Sequence, residues 1–347
     1  MRASGGIRWS ALFGLGRYEN GRCRVLIVSI LIVALMLAAA SIVVDARADL
    51  KEAEAEARFP PEGQLIDVDG RTAHVVVEGS GPDLVLIHGA SGNTRDFTFS
   101  LSKELAQNYR VFTIDRPGLG WTDRVSDAFG GAFNTRAESP GEQAAFLARA
   151  AQQMGVEAPL VLGHSYGGAV ALAWALDQPA AGIVVLSGAT MPWPGGLGPL
   201  YRINASALGG SQFVPLLTAF APENRVSETL ATIFEPQCPP EGYQRYVGVG
   251  LSLRREALRA NARQVNSLKP HVAEMSAQYG DIALPVEVVH GTADTIVPAE
   301  IHAVPLSRTL PNAELTLLDG IGHMPHHVAI PDVIAAIDRA ATRAGLR

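Results

Sequence analysis

The first feature of the sequence that could carry out a reaction is a serine in a glycine-rich motif. Residues 163–167 (GHSYG) follow the apolar run 160–163 (LVLG) and precede a small-residue helical pattern from 167 to 176. A G-x-S-x-G sequence on a turn from strand to helix holds the serine hydroxyl clear of the sheet. The bare pattern also arises by chance as a glycine-rich turn, so its position between strand and helix carries the interpretation. We predict Ser165 as a nucleophile.

The loop after the last strand pattern offers a general base. Residues 319–325 (DGIGHMP) follow the run 315–318 (LTLL) and contain His323. Loops at the carboxyl ends of parallel strands form the sites of open α/β sheets. His323 is therefore predicted to accept the Ser165 proton. Two rivals, His326 and His327, follow at once, and we predict that they lie in the first turn of the final helix.

An acid is predicted after the preceding strand pattern, 286–289 (VEVV). The next loop, residues 290–298 (HGTADTIVP), contains Asp294. A buried carboxylate at this place fixes the tautomer of the histidine and stabilises its protonated form. Asp294 could instead cap the helix that follows Pro298. Asp319 is nearer to His323 in sequence, but its Asp-Gly context indicates a turn.

An acyl-transfer reaction also needs two preorganised N–H donors for the oxyanion. Residues 88–92 (HGASG) end the apolar strand 83–87 (DLVLI). We predict that the backbone N–H groups of Ala90 and Tyr166, the residue after the nucleophile, form this oxyanion hole. His88 is predicted to be structural and bonded to backbone.

These loops require a sheet that brings strand ends together. Apolar runs of four or five residues alternate with helical patterns from about residue 63, which predicts a mostly parallel, doubly wound α/β sheet. The alternation breaks between 189 and 282, where we expect an inserted helical cap. Its aromatic side chains suit either an apolar pocket or the packing of the cap itself: Trp193, Tyr201, Phe213, Phe220 and Phe234.

A long apolar segment near the N-terminus predicts a membrane anchor. The run 25–44 is 20 residues long, or about 30 Å as a helix, which matches a bilayer core. Arginines precede it and acids follow it, so the N-terminus is predicted in the cytoplasm and the body outside. The alternative is a secreted protein, cleaved after residues 46–48 (ARA) as a signal peptide. Residues 46–58 read as a short helical stem that Pro60 and Pro61 end.

The predicted segments follow from these patterns. They are a basic N-terminus (1–24), a transmembrane anchor (25–44), a stem (45–62), the first part of the core (63–188), the cap (189–282) and the second part of the core (283–347).

The charge and the cysteine content argue against two other kinds of site, a nucleic-acid-binding surface and a zinc site. The net charge is −6, although the first 48 residues hold six arginines and two acids. The body is therefore strongly acidic, which argues against a nucleic-acid partner. Cys23 and Cys238 lack zinc-type spacing and are expected to be unpaired thiols. We expect no metal and no cofactor, and a small molecule as substrate.

The motifs together resemble the α/β-hydrolase superfamily over about residues 63 to 345. The matching segments are 88–92 (HGASG), 115–123 (DRPGLGWTD), 163–168 (GHSYGG), 290–298 (HGTADTIVP) and 322–327 (GHMPHH). The order Ser165, Asp294, His323 is the order of that family, in which the 115–120 loop is structural and borders the pocket. Epoxide hydrolases and haloalkane dehalogenases of the family have aspartate where Ser165 stands, which argues against both.

This resemblance implies a serine hydrolase that cleaves an ester-like bond through an acyl-enzyme. Two alternatives stay open. One is a carbon–carbon-bond hydrolase or cofactor-free haloperoxidase-like enzyme with the same triad. The other is a non-catalytic ligand receptor on the same fold.

Overall fold

The described part of the chain begins with one long helix. The computed structural model describes residues 13–347, with side chains from residue 24 onward, so most of the basic segment 1–24 lies outside the described side chains. Helix α1 (Phe13–Arg58) is 46 residues long. The predicted anchor and stem are thus one uninterrupted helix, which ends, as predicted, just before Pro60 and Pro61. Its apolar part has a mean hydropathy of 3.0 and is not buried against the protein.

Eight strands form a single sheet in the order β1-β2-β4-β3-β5-β6-β7-β8. The strands are β1 (Gln64–Val68), β2 (Arg71–Gly79), β3 (Asp83–Ile87), β4 (Arg110–Ile114), β5 (Leu160–His164), β6 (Gly182–Leu186), β7 (Val286–Gly291) and β8 (Ala313–Leu318). Strand β2 runs antiparallel to its neighbours β1 and β4, and all other pairs are parallel. The predicted mostly parallel sheet is confirmed.

Helices cover both faces of the sheet. Those of the core are α2 (Arg95–Thr98), α3 (Leu101–Leu105), α4 (Pro140–Gln153), α5 (Tyr166–Asp177), α12 (Ala303–Thr309), α13 (Pro325–Val328) and α14 (Ile330–Arg343). Alternate residues of one strand face opposite layers: Val85 and Ile87 pack in the layer of α4 and α5, whereas Leu84 and Leu86 pack in the layer of α3 and α14. Continuous apolar runs therefore arise because both faces are buried.

The stretch between β6 and β7 is a helical insertion, which we call the cap (residues 189–282). It contains α6 (Pro199–Ala205), a π-helical turn (Gly209–Phe213), α7 (Val214–Phe220), α8 (Glu223–Phe234), α9 (Tyr243–Tyr246), α10 (Val249–Ser252) and α11 (Arg255–Ser276). Helix α11 reaches back to the sheet, where Leu268 and Val272 join the core of α4 and α5.

The C-terminal half of α1 packs against the cap. Ala48 is fully buried, and the Arg47 side chain donates a hydrogen bond to the Ala219 carbonyl at 2.8 Å. Arg255 of α11 binds acids on successive turns of α1, including Glu52 at 2.9 Å, and Asp49. The acidic stem is thus held by cations of the cap.

One local prediction is wrong. His326 and His327 do not begin the final helix, because they form the separate short helix α13, which ends at Val328 before α14 starts at Ile330. The physical reason is Pro331, which has no N–H to bond the carbonyl four residues before it and would clash with that carbonyl, so a continuous helix cannot pass through Ala329. Both imidazoles bind Asp96 of α2.

Candidate active site

The turn between β5 and α5 is a strained elbow that carries Ser165. The serine has φ 54° and ψ −117°, a conformation that costs a non-glycine residue about 1–3 kcal/mol. A Cβ at Gly163 would lie 2.0 Å from the Gly167 carbonyl oxygen, and one at Gly167 would lie 2.3 Å from that of Ile87. Only glycine fits these two positions, so the G-x-S-x-G pattern is dictated by the close approach of backbone.

Three side chains from different loops meet at this elbow. His323 Nε2 lies 3.0 Å from Ser165 Oγ, and His323 Nδ1 lies 2.7 Å from Asp294 Oδ2. All three residues are at least nine-tenths buried. The structure therefore brings together the predicted nucleophile, base and acid in hydrogen-bonding order.

Asp294 is held as a carboxylate. Its Oδ1 accepts the backbone N–H groups of Ile296 and Val297, each at 2.9 Å, and His290 Nε2 lies 3.2 Å from Oδ2. Burial raises the pKa of Asp294, but the hydrogen bonds from His290, His323 and Val297 together bring it below its usual value. An ionised Asp294 accepts the Nδ1–H of His323 and leaves Nε2 free to accept a proton.

The rival residues are engaged elsewhere. His326 Nε2 and His327 Nε2 lie 3.2 and 2.9 Å from the Asp96 carboxylate, which also accepts the Tyr243 hydroxyl of the cap at 2.7 Å. Asp319 is exposed and accepts the Thr292 hydroxyl at 3.3 Å. Neither the two histidines nor Asp319 hydrogen-bonds the Ser165–His323 pair in the described part of the chain.

The Asp96, His326 and His327 cluster has ligand-type atoms within 4.8 Å of one another. A metal-bound imidazole normally donates its second N–H to an acceptor, but the Nδ1 atoms of His326 and His327 have no partner among the described residues. Each Nε2 can instead donate to one Asp96 oxygen. We therefore interpret the cluster as hydrogen-bonded packing that joins α2, α13 and the cap.

The loop that contains Ala90 lies beside the nucleophile. The loop after β3 passes so close that a Cβ at Gly89 would lie 3.0 Å from Ser165 Cβ. Ala90 follows in this loop, and Tyr166 is the first residue of α5. Neither N–H group has a hydrogen-bond acceptor in the described part of the chain, which leaves both available to an oxyanion.

Arg116 fixes the loop that contains Ala90, a role that the pattern alone did not reveal. This fully buried guanidinium donates to the Gly89 carbonyl at 2.9 Å and lies 3.9 Å above the Tyr166 ring. Burial lowers the pKa of Arg116 to about 10, so the group stays charged. His88 Nδ1 donates to the Gly89 carbonyl, and His88 Nε2 accepts the backbone N–H of Arg116. His88 therefore bonds to backbone, as predicted.

The cap holds the loop that carries His323. Gln237 donates to the Gly320 carbonyl at 2.8 Å and accepts the Gly322 N–H at 2.9 Å. A Cβ at Gly322 would lie 2.0 Å from the Glu235 carbonyl oxygen of the cap. Gln237 and Glu235 were not singled out from the sequence, because no local pattern connects them with a loop more than 80 residues away.

The cap aromatics have different environments. Phe234 is buried against Tyr243 and Met324, whereas Trp193 and Tyr201 are partly buried against the core. Phe213 and Phe220 are 37% and 51% exposed. Phe220 lines a groove of about 640 Å³ between α1 and the cap, and no triad residue lines this groove.

Comparisons with known proteins agree with this architecture. Residues 84–337 match the family model of the alpha/beta hydrolase family. The 30 kDa subunit of magnesium chelatase from Rhodobacter capsulatus is 30% identical over 253 residues, which cover 72% of this chain and 83% of that protein. A 2-hydroxy-6-oxononadienedioate/2-hydroxy-6-oxononatrienedioate hydrolase from Cupriavidus pinatubonensis is 25% identical, covering 73% and 81%.

A solved structure has the same fold. The esterase of Exiguobacterium antarcticum superposes with a TM-score of 0.62 at 17% identity and covers 80% of this chain and 98% of its own. The matched family region extends from β3 into α14 and includes the elbow, the acid loop and the histidine loop. The chain therefore belongs to the alpha/beta hydrolase family.

Proposed function

We propose that this protein is a serine hydrolase that cleaves an ester-like bond of a small, largely apolar substrate through an acyl-enzyme. One observation carries the proposal: the continuous chain of hydrogen bonds from Ser165 Oγ through His323 to Asp294, at 3.0 and 2.7 Å. Nucleophile and base within hydrogen-bonding distance, with the base oriented by a third group, are the requirements for an activated serine.

The geometry supports the following cycle. His323 Nε2 takes the proton of Ser165 as Oγ attacks the substrate carbonyl carbon, and the N–H groups of Ala90 and Tyr166 stabilise the oxyanion. His323 then protonates the leaving oxygen, and the alcohol departs. A water molecule gives a proton to His323 as it attacks the acyl-enzyme, and the acid is released with Ser165 restored.

Labelling with a fluorophosphonate probe tests the nucleophile. We expect covalent labelling of the full-length protein in detergent and none of Ser165→Ala. His323→Gln should be labelled far more slowly than wild type, whereas the matched variant His327→Gln should keep most of its labelling, because His327 binds Asp96 instead. If the folded wild type stayed unlabelled, the proposal would fail and a non-catalytic ligand receptor would become the leading account.

A second candidate is hydrolysis of a carbon–carbon bond. The named dienedioate hydrolase is one relative that favours it, and a 2-hydroxy-6-oxo-6-phenylhexa-2,4-dienoate hydrolase of Burkholderia cepacia is 25% identical over 256 residues. The same triad serves both reactions, so product analysis must decide. Cleavage of the carbon–carbon bond of a vinylogous diketone into two products, with no hydrolysis of p-nitrophenyl esters, would favour this candidate over the esterase.

We also propose that α1 is retained as a membrane anchor, with the N-terminus in the cytoplasm and the body outside. Residues 46–48, which resemble a signal-peptide cleavage site, lie within an unbroken helix. Ala48 is buried where this helix packs against the cap. A segment held in this way is a poor substrate for a peptidase, which needs an accessible, locally unfolded backbone.

An N-terminal epitope tag tests both parts of this proposal. The tag should remain on the protein in the membrane fraction, whereas its loss would indicate cleavage. In spheroplasts, added protease should digest the body, and protection of the body would overturn the orientation.

A further inference from the structure

Exposed apolar side chains are concentrated in one part of the cap. Outside α1, ten large apolar side chains in the described part of the chain are exposed, and six of them lie between residues 200 and 220. We call these six the cap patch: Leu200, Ile203, Leu208, Phe213, Leu216 and Phe220. Clusters of this kind mark interaction surfaces, whereas single exposed apolar residues are normal.

Three residues of the patch form a stripe along α7 and the turn before it. Leu216 and Phe220 lie four residues apart on α7, and Phe213, the last residue of the π-helical turn, precedes Leu216 by three, so the three side chains face the same side. Val214 and Thr218 of α7 are buried on the opposite side. Apolar residues therefore lie on both faces of the helix, and the stripe is partly exposed, with Leu216 at 43% and Phe220 at 51%.

The stripe lies beside the end of the apolar part of α1. The Arg47 side chain bonds the Ala219 carbonyl, and its guanidinium lies 4.9 Å from the Phe220 ring. The apolar run ends at Val44, so Arg47 is about 4.5 Å further along the helix axis. A headgroup layer is about 5–8 Å deep on each side of the bilayer core. With α1 across the membrane, Ala219 and Phe220 therefore lie at headgroup depth.

The charges around this contact suit a lipid surface. The acids that follow the apolar run, among them Asp49 and Glu52, are bound by Arg255 of the cap. Their repulsion from anionic lipid is thereby reduced. Arg47 and Arg202 are exposed next to the patch. Exposed cations beside Phe and Leu side chains are the composition of surfaces that lie in the membrane interface.

We propose that the cap patch inserts into the headgroup region of the same phospholipid bilayer that α1 spans. The inference rests on the proposed anchoring of α1. The cap and α1 together hold the body flat on the membrane, rather than leaving it to stand on a single helix. The cap thus has a lipid-contacting surface in addition to its contacts with the core.

Site-directed fluorescence in vesicles tests this surface. Full-length protein with Cys23 and Cys238 replaced by serine would carry one new cysteine with a polarity-sensitive label. It would be placed in phosphatidylcholine vesicles without quencher, with lipid bearing a shallow spin-label quencher for the cap positions, and with lipid bearing a deep spin-label quencher for the α1 position. The test positions are Leu216→Cys and Phe220→Cys. Ile32→Cys reports on the α1 span, and Leu317→Cys is the matched control, because this leucine is 45% exposed on the edge strand β8.

We expect the labels at 216 and 220 to be blue-shifted and quenched by lipid, and the label at 317 to be neither. Quenching at 32 without quenching at 216 and 220 would overturn the cap contact while leaving the anchor intact. Absence of quenching at 32 would instead show that the proposed anchor fails. A blue shift at 216 that lipid does not quench, and that fades as protein is diluted in the vesicles, would identify a second copy as the occupant and overturn the proposal.

Discussion

Replacement of Asp294 by asparagine tests whether this carboxylate sets the tautomer of His323. Asp294 uses its two oxygens differently: Oδ1 accepts the N–H groups of Ile296 and Val297, and Oδ2 accepts from His323 Nδ1. His290 Nε2 lies 3.2 Å from Oδ2 but also bonds the Val297 carbonyl at 2.6 Å, so it keeps an acceptor when Oδ2 is replaced. Asparagine has one oxygen and one NH₂ group. An NH₂ group in the Oδ1 position would face two N–H donors and leave them unpaired. The structure therefore directs the amide oxygen to that position and the NH₂ group towards His323.

The consequence is loss of the base. The NH₂ group donates to His323 Nδ1, so the imidazole proton moves to Nε2, which then cannot accept the proton of Ser165 at 3.0 Å. By the magnitude of this substitution in another serine triad, we expect kcat/KM for a p-nitrophenyl ester to fall about 10⁴-fold. This corresponds to about 5 kcal/mol of lost transition-state stabilisation. The fall should appear in kcat, because the substrate is bound as before.

Initial rates of the full-length protein in detergent, with thermal unfolding of each variant, would measure this effect. Asp319→Asn is the matched control, since this exposed carboxylate lies next to the same loop but binds Thr292; its kcat/KM should stay near that of wild type. A fall of less than about tenfold in a stable Asp294→Asn variant would refute the reasoning. So would a large fall in Asp319→Asn, which would identify the other carboxylate as the acid.

Three further predictions concern the loops and the core. Ala90→Pro removes one oxyanion donor and should lower kcat by about 10²–10³, whereas Ala90→Gly should keep it; equal rates of the two variants would exclude this donor. Gly322→Ala should lower kcat/KM up to about 10²-fold, because its Cβ would meet the Glu235 carbonyl at 2.0 Å and displace the His323 loop. The control Gly320→Ala meets no atom within 4 Å, so it should lose stability through its positive φ but keep its rate, and a rate loss as large as that of Gly322→Ala would contradict this. The pKa values of three histidines are lowered to about 4, mainly by burial: His88, His302 and His326. The unfolded chain binds their protons at about pH 6.5, so the free energy of unfolding should fall between about pH 6.5 and 4, by about 1.4 kcal/mol per pH unit for each histidine. Thermal unfolding temperatures at about pH 7 and about pH 5 would check this window, and equal values would contradict it.

The elbow and the strands were predictable because local sterics and burial determine them. Gly163 and Gly167 are required by contacts with neighbouring backbone, so the motif itself contains the geometry. Strand β3 was predicted with the observed bounds, since a strand buried on both faces leaves an unbroken apolar run. The predicted meeting of Ser165, Asp294 and His323 follows from the sheet, because parallel strands bring the loops after β5, β7 and β8 to one edge.

The division of α1 into anchor and stem shows a limit of sequence patterns. The apolar run ends at Val44, and the composition then changes from aliphatic to acidic. That change in composition does not end the helix, because Ala, Asp and Arg can all continue one. The helix therefore runs on until Pro60 and Pro61, which exclude further helical hydrogen bonds. The contact of the stem with Arg255 joins positions about 200 residues apart and has no local signal.

The position of His323 depends on parts of the chain that the sequence does not connect. Strand β8 brings the loop to the sheet edge, Asp294 orients the imidazole, and Gln237 of the cap holds the loop on both sides of Ile321. Gln237 lies between α8 and α9, and because its side chain bonds two backbone groups of the His323 loop, its replacement would leave both groups without these partners. Patterns of burial and turn chemistry locate the reacting side chains, whereas the accuracy of their placement comes from side-chain contacts between distant segments, which become visible only in the folded structure.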